Sequence, residues 1–242
     1  MFATYIARGE LLVYPFFEAY RDRNHEYKPS ELGYGLAQDF RGKYRASERL
    51  LFVAYGISDR LAVEFEAATI SARLERAAGD PSAMPAVLEE SGLGDVEGQL
   101  RFRWTDGTAR VPEVFSYLEV VAPNRGRKLI GTEDWEFKFG TGAIRSFSIG
   151  TVAVRVAAEY AKADGKVALG EYAVEFIRAL SSRLRFYTGL EGTQDEMEWI
   201  SELQVRLTRF ATLKLNAAVG ATSKATDWAP EIGILFRFPG RR

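Results

Sequence analysis

The chain has 242 residues, a mass of 27.1 kDa and a formal net charge of -1 from 32 basic and 33 acidic side chains. This balance provides no bulk electrostatic attraction for a nucleic acid and no polybasic lipid anchor. Cysteine is absent, which excludes disulfide bonds, thiolate metal sites and cysteine nucleophiles.

Apolar and polar residues alternate with a period of two along most of the chain, and this period places successive side chains on opposite faces of a strand. In segment 95–104 every odd position is polar or charged, and every even position is apolar or glycine. A helix would scatter those charges around its circumference. The same alternation recurs in segments 61–70, 135–139, 171–176, 183–191, 196–206 and 231–238.

The pattern predicts an all-β chain of about twelve strands. We place the strands at residues 11–22, 44–57, 60–73, 94–106, 113–123, 134–144, 150–161, 167–180, 183–193, 196–207, 210–222 and 228–238. One short helix is predicted at Ser82–Ser91 in an outer loop, because Pro81 and Pro85 lie near its start and Gly92 can cap its end. No repeat or linker interrupts the chain, so residues 1–242 are predicted to form a single domain.

The predicted connections alternate in length. Ser58-Asp59, Ser181-Ser182 and Thr208-Arg209 are tight turns. The links after strands one and three are expected to run to roughly twenty residues each, and the link after strand five (123–133) is also extended. Short turns at one end and long loops at the other are typical of a transmembrane barrel, and an even number of strands places both termini on the periplasmic side.

A soluble β-sandwich also shows alternation, but its strands usually have only about 5–6 residues. The strands predicted here have about 11–14 residues, enough for a tilted strand to cross a bilayer. Aromatic residues near strand ends or on the apolar face resemble the girdles of a membrane barrel: Phe16, Phe17, Trp104, Phe115, Tyr117, Trp135, Tyr160, Tyr187, Trp199, Trp228, Phe236 and Phe238. We therefore predict a closed, antiparallel, up-and-down transmembrane β-barrel, because hydrocarbon offers no water to an open sheet edge.

This prediction places the protein in the outer membrane of a Gram-negative bacterium, and such a protein needs a secretion signal. The segment MFATYIARGELLVY has no basic stretch followed by an apolar one, so it does not resemble a signal peptide. No run of 18 or more apolar residues occurs, so no membrane-spanning helix is predicted.

Several short motifs resemble a known family. Tyr55-Gly56-Ile57-Ser58-Asp59-Arg60-Leu61, Ser91-Gly92-Leu93-Gly94-Asp95-Val96, Ala122-Pro123, and Asp227-Trp228-Ala229-Pro230-Glu231-Ile232-Gly233 with Phe238 follow the order seen in the meta-pathway of phenol degradation family of outer membrane proteins. The resemblance covers most of the chain from about Gly35 onward. It implies a twelve-stranded outer membrane barrel that moves small, often aromatic or hydrophobic, compounds. Phe238 is similar to the terminal aromatic residue presented to the barrel assembly machinery, although Pro239-Gly240-Arg241-Arg242 follow it.

If the apolar face meets lipid, the charged face lines the lumen. The lumen-lining candidates are Glu64, Glu66, Asp95, Glu97, Arg101, Arg103, Glu119, Glu136, Lys138, Arg155, Glu171, Glu175, Arg183, Arg185, Glu198, Glu202, Arg206, Lys214, Glu231 and Arg237. The same alternation adds Glu18, Glu159, Glu191, Glu196, Arg45 and Arg49. These charges predict either a salt-bridged plug that closes the barrel or a narrow, polar, slightly cation-favouring pore.

Catalysis is not expected. The sole histidine, His25, is placed in the first outer loop as a solvated side chain, and the two-residue spacing of Glu64 and Glu66 is the strand period. No cofactor is predicted, and the carboxylates predict at most weak Ca²⁺ binding. The expected partners are outer-membrane lipid, lipopolysaccharide, the assembly machinery and an unidentified small solute, with no nucleic acid. A structural barrel with interacting loops and a soluble ligand-binding β protein are the alternatives to a passive channel.

Overall fold

Twelve antiparallel strands close into one barrel in the computed structural model, which describes residues 6–108, 110–161, 165–193 and 195–240. The strands are β1 (Leu11–Tyr27), β2 (Phe40–Gly56), β3 (Leu61–Glu75), β4 (Val87–Thr105), β5 (Glu113–Ala122), β6 (Glu136–Phe147), β7 (Gly150–Ala161), β8 (Lys166–Ala179), β9 (Leu184–Gly192), β10 (Met197–Arg206), β11 (Ala211–Gly220) and β12 (Trp228–Phe238).

Each strand pairs with its neighbours in sequence, and β1 pairs with β12 to close the barrel. Leu11 lies opposite Phe238 at this seam, and Phe17 lies opposite Ile232. The seam leaves no open sheet edge, which a bilayer would not tolerate. The prediction of a twelve-stranded, closed, up-and-down antiparallel barrel is confirmed.

The predicted helix at Ser82–Ser91 is wrong. The described residues contain no helix, and residues 87–91 begin β4, where Glu75 pairs with Val87 and Ser71 pairs with Ser91. Because β3 extends to Glu75, it offers backbone hydrogen bonds to this segment, and these outweigh a single turn of helix. Among the described residues, no helix could cross a membrane.

The outer loops after β1 and β3 are shorter than predicted because β1 to β4 extend beyond their predicted bounds at this end, whereas the link after β5 is slightly longer than the predicted 123–133. The links after β1 and β3 are residues 28–39 and 76–86, and the link after β5 is 123–135. His25 therefore lies in β1 rather than in a loop, with its ring stacked on Tyr44 at 4.7 Å. At the opposite end the turns 57–60, 148–149, 180–183 and 207–210 are short, and 106–112 is longer. The predicted alternation of loop lengths therefore holds for the links between β1 and β6 and weakens afterwards, where the outer link 221–227 is no longer than 106–112.

Ser or Thr begins three of the short turns for a local reason. The Oγ of Ser58 accepts hydrogen bonds from the backbone N–H groups of Arg60 (3.2 Å) and Leu61 (3.0 Å). Ser181 and Thr208 make the same pair of contacts in their own turns. A hydroxyl that replaces a backbone acceptor fixes a tight reversal between strands.

Exposure in the barrel is the inverse of that in a soluble β protein. Phe65, Val174 and Trp199 are 45%, 57% and 54% exposed, whereas Glu175 and Glu202 are 2% and 3% exposed. Apolar side chains therefore face outward and charged ones face inward over the middle of the barrel. This arrangement contradicts a sandwich of two sheets that enclose the apolar residues.

Candidate functional site

The barrel interior contains three adjoining cavities, and the first is a mixed-charge cavity of about 230 Å³. Its ionisable lining residues are Glu64, Glu66, Glu97, Arg101, Glu119, Lys138, Arg155, Glu171, Glu175 and Glu191. Carboxylates outnumber cations here. Strands β3 to β9 supply these ionisable side chains, so the central cavity extends across much of the barrel.

Ion pairs in the central cavity run along the wall. Lys138 Nζ lies 3.1 Å from Glu119 on the adjacent strand. Arg155 of β7 pairs with Glu171 of β8 and lies 2.6 Å from Glu191 of β9. These pairs join neighbouring or next-but-one strands, so they brace the wall and leave the space between opposite walls unbridged.

Arg101 is held less closely by carboxylates than the other two cations of the central cavity, Lys138 and Arg155. The side chain of Arg101 is 5% exposed, its guanidinium lies 4.0 Å above the Phe115 ring, and Nη1 is 3.9 Å from Glu64. Among the residues that the structure describes, its Nε and Nη2 have no hydrogen-bond acceptor, and the nearby hydroxyl of Tyr117 has no hydrogen-bond partner. A buried guanidinium with free donors beside an aromatic face is suited to an aromatic molecule that carries an acidic or hydroxyl group.

The second cavity, of about 440 Å³, is strongly acidic. Its ionisable carboxylates are Glu18, Glu48, Glu66, Glu97, Glu175, Glu191, Glu198, Glu202 and Glu231, and its cation is Lys214. Four pairs of these carboxylates lie directly opposite each other across neighbouring strands: Glu18 with Glu48, Glu18 with Glu231, Glu66 with Glu97, and Glu191 with Glu198. Directly opposed like charges destabilise a sheet, so this acidic cavity favours an occupant that is positively charged.

Two carboxylates of the acidic cavity are held by specific contacts. Glu202 forms an ion pair with Lys214 Nζ at 2.7 Å, and the Tyr14 hydroxyl donates a hydrogen bond to Glu231. Lys214 also lies 4.6 Å above the Tyr14 ring. The remaining negative charge of the cavity is concentrated on β1 to β4, where Glu48 and Glu66 have no ion pair among the described residues.

The third cavity, of about 260 Å³, lies at the short-turn end and is cationic. Its charged lining residues are Arg183, Arg185, Arg206, Arg209, Lys214, Arg237 and Glu64. Arg237 Nε is 2.9 Å from Glu10, which precedes β1. The interior is therefore polarised along its length, from an acidic middle to a basic end.

The remaining predicted lumen residues lie nearer the barrel ends. Arg103 lines a fourth cavity beside the turns and lies 3.0 Å from Asp106 and 3.6 Å from Glu113. Asp95 accepts a hydrogen bond of 2.8 Å from the backbone N–H of Thr132, so it anchors the loop 123–135. Glu136 is the first residue of β6 and does not line these cavities.

The prediction that Arg45 and Arg49 line the interior is wrong. Arg45 and Arg49 are exposed on the outer surface of β2, whereas Ala46, Glu48 and Leu50 face inward. The error arises because the outer surface of this part of β2 is also polar, so alternation no longer distinguishes the two faces. Glu48 was missed for the same reason.

Aromatic residues also line the interior, contrary to their assignment to an outer girdle. Phe16, Phe115, Tyr117 and Tyr187 face the cavities, and the last three are 3%, 5% and 6% exposed. Tyr187 donates a hydrogen bond of 3.4 Å to Glu175. Residue type alone cannot separate an aromatic that faces lipid from one that faces the lumen. An even difference in residue number between an aromatic residue and a glutamate on the same strand does so, because residues two apart face the same side.

No metal-binding arrangement is found within the described ranges: no group of three or more His, Cys, Asp or Glu side chains is close enough to hold an ion.

Comparison with known proteins identifies the fold. No family model and no curated protein matches the sequence. An outer membrane channel from Pseudomonas putida F1 superposes with a TM-score of 0.68 at 13% identity, covering 97% of each chain. The KdgM porin in complex with oligogalacturonate gives 0.54 at 7% identity, covering 95% of this chain and 99% of the porin. The translocator domain of the autotransporter NalP from Neisseria meningitidis gives 0.54 at 9% identity, with 96% and 89% coverage. At these identities the likeness establishes a shared fold.

Proposed function

We propose that the chain is a passive outer membrane channel that carries small molecules through a charged lumen. The observation that supports it most directly is the inverted exposure of the barrel, with Trp199 exposed and Glu202 buried on the same strand. An apolar outer wall suits a bilayer, and a charged, cavity-containing interior suits a water-filled path. Proteins of similar fold include an outer membrane channel and the KdgM porin, which agrees with a passage rather than an enzyme.

The main alternative is a barrel closed by salt bridges. The arrangement of charges favours the channel, because the ion pairs of Lys138, Arg155 and Lys214 run between nearby strands instead of across the lumen. A plug would require cations of one wall to reach carboxylates of the opposite wall. Instead, like charges such as Glu66 and Glu97 face each other, which a closed interior would not stabilise.

We further propose a solute class. Arg101, Phe115 and Tyr117 form a buried group with an aromatic face, two guanidinium nitrogens and a hydroxyl, and these polar atoms have no hydrogen-bond partner among the described residues. This combination complements a small aromatic molecule with a carboxylate or hydroxyl substituent, which the Arg101 guanidinium would bind locally although the carboxylates of the lumen as a whole favour cations. It agrees with the resemblance to the meta-pathway of phenol degradation family, to which we assign the chain.

Local structure gives the family motifs physical roles. Ser58 closes the turn at 57–60. Gly94 and Asp95 form a bulge opposite Ala68, and Asp95 holds the next outer loop through Thr132. Both motifs therefore have a structural role in this barrel, which agrees with the proposed family membership.

Conductance in planar bilayers tests the proposal. The purified protein is expected to insert and to give stable ion conductance, whereas a plugged barrel would insert without conducting. Heat-modifiable gel mobility, with the unboiled protein migrating faster, reports in parallel that the barrel is folded. Monodisperse behaviour without detergent would contradict the membrane location, including the proposed partners lipid, lipopolysaccharide and assembly machinery.

A further inference from the structure

A row of arginines crosses three adjacent strands on the outer surface of the barrel. Arg21 of β1 lies directly opposite Arg45 of β2, and Arg45 lies directly opposite Arg73 of β3. Arg49 also faces outward from β2, but it lies nearer the short turns than the row does, opposite Phe17. Directly opposite residues in antiparallel strands have Cβ atoms about 4.5–5.5 Å apart, so these cations repel each other.

The middle of this row has no counter-charge from the protein. Arg73 contacts Glu89 and lies 3.4 Å from Glu75. In the part of the chain that the structure describes, the exposed side chains of Arg21 and Arg45 have no ion pair and no hydrogen bond. An arrangement that concentrates positive charge without internal compensation is stabilised by an external anion.

The row lies at the boundary of the apolar band. Arg21 lies directly opposite Trp228 of β12, which is 45% exposed. On the turn side of the row, the outward residues Phe17 and Leu51 are 42% and 43% exposed and apolar. Tryptophan and a change from apolar to polar side chains mark the interfacial zone of a membrane barrel. The long loops are at this end, so the zone belongs to the outer leaflet.

We propose that Arg21 and Arg45 bind a phosphate group of lipid A in the outer leaflet, an inference that rests on the proposed outer membrane location. A planar guanidinium donates two parallel hydrogen bonds to phosphate oxygens, and several such groups around one phosphate relieve their mutual repulsion. Their height next to Trp228 places them level with lipid headgroups rather than with acyl chains.

The test uses the full-length barrel folded in detergent micelles. Its thermal midpoint is followed by heat-modifiable gel mobility with added bis-phosphorylated lipid A, dephosphorylated lipid A or inorganic phosphate. Bis-phosphorylated lipid A is expected to raise the midpoint of the wild-type barrel, and the other two additives are expected to have little effect. In R21Q/R45Q the apparent affinity for bis-phosphorylated lipid A should fall at least about tenfold, the loss of one charge-assisted hydrogen bond.

The matched control is R145Q/R178Q, which removes two outward, exposed arginines near the short-turn end. Its response to lipid A should equal that of the wild type. Equal binding by R21Q/R45Q, equal stabilisation by dephosphorylated lipid A, or equal stabilisation by inorganic phosphate alone would each overturn the lipid A assignment. Conductance distinguishes failure of the channel proposal from failure of the lipid A proposal. R21Q/R45Q should conduct at the wild-type level, because both residues face away from the lumen.

Discussion

Glu18 of β1 lies directly opposite Glu48 of β2, and both side chains line the same acidic cavity. Proteins usually place opposite charges at such positions, because directly opposed like charges destabilise the sheet. Glu231 extends the row on the other side of Glu18. The barrel therefore retains an unfavourable arrangement in its interior, as expected of a site selected for passage rather than for stability.

Neutralising one member of this row should stabilise the barrel. We expect E48Q to raise the free energy of unfolding by about 0.2–1 kcal/mol, the range for a cross-strand pair. E202Q provides the contrast, because Glu202 is 3% exposed and pairs with Lys214 at 2.7 Å. Breaking that buried pair should cost about 3–5 kcal/mol. Urea unfolding in liposomes measures both, and equal destabilisation by the two variants would contradict a repulsive Glu18–Glu48 relationship.

The polarised interior predicts a cation-selective channel that rectifies current. Because carboxylates dominate the middle and arginines dominate the short-turn end, one voltage polarity should enrich ions in the lumen and the other should deplete them. Under a KCl gradient, E48Q/E66Q should move the reversal potential toward zero, and R183Q/R206Q should move it further toward that of a pure cation channel. Shifts in the same direction for both variants would refute this charge profile.

The middle of the barrel could be predicted from the sequence because the two faces of each strand meet different surroundings there. Lipid selects apolar residues on one face and the lumen selects charged residues on the other, so alternation in 95–104 locates Glu97 and Arg101 directly. The turns were equally predictable, since Ser58 and Thr208 have a local structural role that does not depend on the rest of the chain.

The outer end could not be predicted in the same way. Beyond the apolar band both faces of β2 are polar, and the pattern around Arg45, Glu48 and Arg49 contains no signal for which residue faces the lumen. Strand β4 begins at Val87 because β3 supplies a paired edge, which is a contact between distant segments. Interior aromatics such as Tyr117 were missed because lipid and an amphiphilic lumen accept the same residue type.

Arg101 should control the affinity for aromatic anions. Its unpaired Nε and Nη2 beside the Phe115 ring can donate to the carboxylate of benzoate while the rings stack. R101Q should weaken the block of single-channel current by benzoate at least about tenfold, since hydrogen bonds to charged groups contribute about 1.5–3 kcal/mol. Block by benzyl alcohol should change little, and R183Q at the short-turn end serves as the charge control. Y117F offers a second variant with a smaller expected loss, and unchanged benzoate block in both would refute the site.

Two glycines distinguish tight packing from open space. Gly140 of β6 lies opposite Tyr117 of β5, and a Cβ at Gly140 would overlap the tyrosine ring. G140A should destabilise the barrel by about 1–3 kcal/mol through overpacking. No atom lies within 4 Å of a Cβ built at Gly98, so G98A should be neutral or stabilising by about 0.4–1 kcal/mol. Refolding yield and urea midpoints in liposomes compare them, and equal behaviour of the two variants would contradict the close approach of Tyr117.

The outer loop 76–86 should loosen in acid because of Asp80. Burial tends to raise the pKa of this carboxyl, but hydrogen bonds from Ser82 and from the Tyr27 hydroxyl (2.9 Å) outweigh it and hold the pKa below its usual value. A lowered pKa in the folded state stabilises the loop fully above the unfolded value of about 3.9, and this contribution disappears as the pH falls through the folded pKa. Amide hydrogen exchange of the loop should therefore be slow at neutral pH and faster well below pH 4, beyond the intrinsic change in exchange rate.

D80N should exchange faster at neutral pH and lose the acid-dependent step, while the turn at 57–60 should respond equally in both proteins. Retention of the acid step in D80N would assign it to another group.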